Sequence, residues 1–122
     1  MYWLTTFVLL MALVLVEPSQ AASCDSPQVG IIATFSVKEG SEEAFEQTIE
    51  ELIGAVRENE EGNLLYQLFR DESGTYVMME RYASAAAMAA HGSSDHVRAM
   101  FPKLVTHLSG TPEIRRLTAV DC

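Results

Sequence analysis

The chain has 122 residues, 48% of them apolar, and a formal net charge of -9. That length holds one domain with a small core. The acidity argues against a nucleic-acid partner and against an anionic membrane surface, since both attract basic faces.

Residues 7–16, FVLLMALVLV, are an unbroken apolar run that Glu17 and Pro18 stop. Ser19, Gln20 and Ala21 then place small residues at the first and third positions of a cleavage site. The pattern predicts a secretory signal peptide over residues 1–22, in a run too short for a comfortable membrane span. The leading MYWLTT carries no Lys or Arg, and AASC, ending at Cys24, partly resembles a lipoprotein box with Ala21 where a larger aliphatic is usual. Lipidation of Cys24 and an uncleaved anchor therefore stay open. The folded domain is expected over residues 23–122, in a secreted or periplasmic protein with no membrane contact once the signal is cleaved.

Residues 28–37, QVGIIATFSV, are β-branched and aromatic and predict a first strand. Ser41 is placed to cap a helix whose first turn holds Glu42 and Glu43. Phe45, Ile49, Leu52, Ile53 and Val56 recur at helical spacing, and Gly62 ends the segment. The many acidic residues over 38–62 read as a solvated helix face.

Residues 63–71 and 75–83 flank the turn ESG, a hairpin signal in which Gly74 is free to take positive φ. Alternation puts Tyr66 and Leu68 on one face of the first strand, with Leu65, Gln67 and Phe69 on the other. On the second strand Tyr76, Met78, Glu80 and Tyr82 share a face, and Val77, Met79 and Arg81 share the opposite one. Ser84 caps a short alanine-rich helix ending at Gly92, and Ser94 with Asp95 marks a second start. Val97, Met100, Phe101, Leu104, Val105 and Leu108 again fit helical spacing, with Pro102 expected to kink the helix or begin a new one. Residues 113–120, EIRRLTAV, predict a last strand.

The order β-α-β-β-α-β is the α+β, ferredoxin-like arrangement, a four-stranded antiparallel sheet with its helices on one face. In its usual strand order, 4-1-3-2, the start of the first strand lies beside the end of the last. Cys24 and Cys122 sit at those two places. In an oxidising compartment the pair is expected to bridge, which on a chain-entropy argument contributes on the order of 4–5 kcal/mol. Two unpaired thiols, or a lipidated Cys24, are the alternatives.

No glycine-rich phosphate loop, nucleophile elbow or paired-cysteine zinc spacing is present. His91 and His96 are separated by Gly92 and its neighbours and do not share a helix face as an H-x-x-x-H pair would, so no metal is expected. Residues 61–100, EGNLLYQLFRDESGTYVMMERYASAAAMAAHGSSDHVRAM, carry a G-x-x-x-Y-x-L-x-R-D strand followed by E-R-Y-x-S-x-x-A-x-x-A-H-x-x-S-x-H. This stretch, with ATFSVKEGSEEAFEQTI before it, resembles the antibiotic biosynthesis monooxygenase family over nearly all of the mature chain.

The resemblance implies a ferredoxin-like fold and a homodimer whose sheets pair into an α+β barrel. It also implies oxidation of quinols or similar small aromatic phenols by O₂ with no cofactor. The haem-degrading branch uses an Asn, a Trp and a His where this chain has Ala33, Tyr82 and approximately Phe101, so haem degradation is not implied. The branch acting on polyketide quinones has Asn and Trp where Met78 and Tyr82 stand, so a similar reaction is implied without the same hydrogen-bond set. The matched "A-H" histidine is His91.

A phenol must lose a proton before it reduces O₂ readily, and neutral imidazole suits that step near pH 7. His91 is the candidate base, Tyr66 and Tyr82 the candidate holders of the phenolate oxygens, and Phe35, Met79, Met88 and Phe101 the candidate apolar wall. Each also has a structural reading. His91 can cap helix carbonyls, His96 can be support, Tyr82 can serve the dimer interface, and the methionines and aromatics can be core. A small dimeric ligand-binding or stress-related protein without turnover is the second function class.

Overall fold

The computed structural model describes residues 26–121. The expected signal peptide, Cys24 and Cys122 lie outside those residues. The elements run β1 (Val29–Phe35), α1 (Glu42–Asn59), β2 (Asn63–Arg70), β3 (Tyr76–Tyr82), α2 (Ala85–Ser93), α3 (Asp95–Val105) and β4 (Glu113–Thr118). The sheet is antiparallel throughout, in the order β2-β3-β1-β4. This is the expected ferredoxin-like architecture, with its second helical segment divided into α2 and α3.

The division follows from Ser94. Its extended ψ of 152° ends α2, while its hydroxyl accepts from the Val97 N–H to start α3. Pro102 begins no new helix; it sits inside α3. The carbonyl its ring leaves without a partner belongs to Arg98 on the exposed face, where water can take it. Ser84 caps α2 as expected, accepting from the Ala87 N–H at 3.1 Å. Ser41 holds the N-cap position of α1 without a side-chain cap bond, and Glu42 and Glu43 face the helix dipole in its place.

Alternation governs the sheet. The helix side of β1 buries Val29, Ile31, Ala33 and Phe35, and that of β3 buries Tyr76, Met78 and Tyr82. Phe45, Ile49, Leu52 and Val56 of α1 and Leu104 of α3 close over them. Among the described residues no helix lies on the other face. Phe69, Met79 and Leu117 stand there about two-fifths exposed. Strand β4 is exposed along its whole length, so the helices leave its inner side open.

The β2–β3 hairpin turns as its residues require. Gly74 adopts φ 87°, and the Asp71 carboxylate accepts from the N–H groups of Ser73 and Thr75. Those bonds, the Ser73 hydroxyl first, hold the Asp71 carboxyl below the usual carboxylate range. Gly62 has a different role. A Cβ there would lie 2.6 Å from the Ala87 Cβ, so its bare backbone lets α2 approach the α1–β2 loop.

Candidate active site

That close approach builds the site. With α2 drawn against the loop, Glu60 at the end of α1 reaches His91, and the His91 Nδ1 lies 2.9 and 3.0 Å from the two Glu60 oxygens. His96, in the first turn of α3, reaches the same carboxylate from the other side, its Nε2 2.6 Å from Oε2. A carboxylate only accepts, so each imidazole donates its N–H to Glu60. His91 thus has its proton on Nδ1, which leaves Nε2 as the lone-pair nitrogen. Among the described residues Nε2 has no protein partner, and no buried side-chain nitrogen or oxygen lacks one, so Nε2 is open to solvent.

The imidazole is held by two tyrosines. Its ring centroid is 5.2 Å from that of Tyr66 and 5.4 Å from that of Tyr82, each tilted by 50°. The Tyr82 hydroxyl donates to Glu80 Oε2 at 2.5 Å. It is therefore committed to a carboxylate within a fully buried residue. Among the described residues the Tyr66 hydroxyl has no such partner, and Tyr66 lines the cavity. Burial pushes both hydroxyls up, with the Glu80 charge adding, so both remain O–H donors at any working pH. Burial also raises the Glu80 carboxyl, against the Tyr82 hydrogen bond and His91, which pull it down.

His91, Tyr66 and Glu80 lie on the wall of a cavity of about 490 Å³ between the sheet and α2–α3. Phe35, Met88 and Phe101 supply apolar wall, as do Ile31, Ala33 and Leu104. At its edge stand Ile114 and Arg116, on the uncovered helix side of β4. Such a space suits one small aromatic molecule.

Of the seven residues singled out from the sequence, His91, Tyr66, Phe35, Met88 and Phe101 line the cavity, and Tyr82 packs on the His91 ring with its hydroxyl taken by Glu80. Met79 is the exception. It points from the opposite face of the sheet, 39% exposed, into a shallow surface hollow with Leu65 and Leu117. Period-two alternation forces this, because its neighbour Met78 faces the helices. Of the structural readings, helix capping by the His91 ring gives way to the Glu60 contact. Glu60 and Glu80 are missed from sequence. The usable signal for Glu60 was its position just before Gly62, and for Glu80 a carboxylate in phase with the buried Tyr82.

The sequence model of the antibiotic biosynthesis monooxygenases matches residues 28–103. A Caulobacter crescentus structure named for the same family is 34% identical, with a TM-score of 0.76, over 79% of this chain and 92% of that one. Rv0793 of Mycobacterium tuberculosis is similar at 25% identity and TM-score 0.72, over 77% of this chain and 96% of that one. A conserved protein of Methanosarcina mazei shares the fold at 23% identity and TM-score 0.71, over 75% and 92% of the two chains. No curated protein matches. The family model spans more than half of the sequence, and the chain belongs to the antibiotic biosynthesis monooxygenase family.

Proposed function

We propose that the protein is a secreted, homodimeric monooxygenase that oxidises quinols or similar small phenols with O₂ and no cofactor. The observation that carries this reading is His91, its Nδ1–H fixed by Glu60 and its Nε2 free beside an apolar cavity. Nε2 takes the phenolic proton, and the Tyr66 hydroxyl donates to the phenolate oxygen. The phenolate passes one electron to O₂, and the resulting semiquinone and superoxide join through a new C–O bond. The imidazolium returns its proton to the peroxide. O–O cleavage with loss of the ring C–H proton then releases water. Quinol plus O₂ gives hydroxyquinone plus one water, one oxygen atom going to each.

Oxygen uptake by the purified protein over a panel of hydroquinones tests the reading. Uptake is expected with hydroxyquinone as product, and His91→Ala is expected to lower it by about 10²–10⁴-fold, the usual worth of a general base. Quinone with hydrogen peroxide would mark a simple oxidase. No uptake above background favours a ligand-binding protein, and uptake untouched in His91→Ala removes that residue from the chemistry.

Export and the disulfide belong to the same proposal. The register Val29↔Thr118 and the Ala119 N–H to Gln28 carbonyl bond keep the start of β1 beside the end of β4. A Cys24–Cys122 bridge is supported by that proximity. The exported protein is expected to begin near residue 23 and to weigh two hydrogens less than its reduced form. Two thiols that alkylate without reductant would overturn the bridge.

A further inference from the structure

We propose that Glu60, His91 and His96 bind one Zn²⁺ ion, and that filling this site removes the base from the neighbouring cavity. The two histidines lie on different helices, and for that reason the sequence argues against a metal; the fold brings them together through the carboxylate. One donor atom from each of the three residues lies within 4.8 Å of the others. Two imidazoles and a carboxylate are a recurrent zinc donor set, with Zn–N of about 2.0–2.1 Å. Tetrahedral donors around such an ion stand roughly 3.3 Å apart. The Glu60 contacts are 2.9 Å to His91 and 2.6 Å to His96. The carboxylate therefore has to withdraw by about half an ångström.

Room for that movement is present. Glu60 and His96 border a crevice of about 210 Å³ with Asn63 and Ser94, separate from the large cavity that His91 lines. The crevice gives the ion a way in and a place for water at the fourth position. The net charge of -9 favours a cation's approach.

The consequence follows from the single proton on a neutral imidazole. Without metal, that proton is on the His91 Nδ1, donated to Glu60, and Nε2 holds the lone pair. Zinc on Nδ1 needs the lone pair there, so the proton moves to Nε2. The His96 proton moves likewise from Nε2 to Nδ1, and none is released. His91 then presents an N–H to the cavity and accepts nothing from a phenol. Zinc at this position acts as an inhibitor.

The test is titration of the purified protein with Zn²⁺ against a chromogenic chelator, with Co²⁺ as a spectroscopic probe. One Zn²⁺ per chain is expected. His96→Ala and Glu60→Gln are expected to weaken binding by at least tenfold, since even an outer partner of a metal ligand is worth about 10–100-fold. His107→Ala, which alters the histidine beside Thr48, is expected to bind as wild type. Nitrogen-15 NMR of the wild type should show the His91 proton move from Nδ1 to Nε2 as zinc is added. No competition for Zn²⁺, equal affinity in a folded His96→Ala variant, or a His91 tautomer unchanged at saturation would each overturn the site. The NMR readout needs no variant to fold. Binding is read without substrate, so an absence of quinol oxidation would defeat the oxygenase reading and leave the zinc site standing. Only the inhibition rests on that reading.

Discussion

At the scale of single residues, Glu60 decides what His91 can do. Glu60→Gln keeps the size but replaces an acceptor with an amide that can donate to Nδ1, and a donor there drives the imidazole proton onto Nε2. Quinol oxidation is expected to fall by roughly 10²–10⁴-fold, with retained thermal stability showing that the loss is chemical. Rates within twofold of wild type would show that His91 does not depend on its carboxylate. Glu80 bears on stability instead. Its carboxyl is held above the ordinary 4.5, by burial first, so the folded state binds the proton more tightly than the unfolded one. The stability contributed by protonated Glu80 is full below about pH 4.5 and is lost as pH rises through the folded value. Glu80→Gln should flatten the fall in melting temperature across that rise from about pH 4.5 through the folded value, and an unchanged slope would contradict the assignment. His91 and Tyr66 were legible because a family motif carries them. Glu60 was not, because it is 31 residues from His91 in sequence, inside an acidic run that reads equally well as solvated surface.

At the scale of elements, the site depends on one close approach and one shared cap. Gly62 touches Ala87 where a second Cβ would stand 2.6 Å away, closer than such atoms approach. Gly62→Ala must push α2 from the α1–β2 loop, at a cost of about 1–3 kcal/mol, and should lengthen the Glu60–His91 contact. Ala87→Gly alone costs about 1 kcal/mol of helix propensity. The double variant should be more stable than the two single losses predict, because the clash is gone; strict additivity in denaturant titrations would refute this. Ser94 joins the helices, its hydroxyl donating to the His91 carbonyl at 2.7 Å and accepting from the Val97 N–H. The order of β1, α1, β3 and α3 followed from apolar periodicity because burial imposes it, whereas α2, with no buried residue, was legible from its Ser84 cap. The Gly62–Ala87 approach depends on how two elements pack, which periodicity does not encode. Met79 shows the reverse case, since alternation alone had already set it opposite Tyr82.

At the scale of the whole molecule, the sheet is half dressed. Helices cover one face, while the other presents Phe69, Met79 and Leu117 well exposed, with Ile32, Leu65 and Val77 half-buried among them. A contiguous apolar sheet face is what a partner of the same kind would cover, and a twofold axis would set each patch on itself. The proposed homodimer is therefore expected to pair these faces. Met79 lies on β3, a central strand whose neighbours are β1 and β2. In an isologous interface Met79→Lys would place two unpaired ammonium groups near the axis, each losing solvation as the faces close. Burying such a charge costs several kcal/mol, so the dimer's Kd should rise on the order of 10²-fold or more. The monomer fold should survive, because in the single chain this side chain already meets water. Sedimentation equilibrium should give a dimer for wild type and a monomer for the variant at the same concentration. A wild-type chain that stays monomeric, or a Met79→Lys dimer of unchanged affinity, would place the interface elsewhere or remove it.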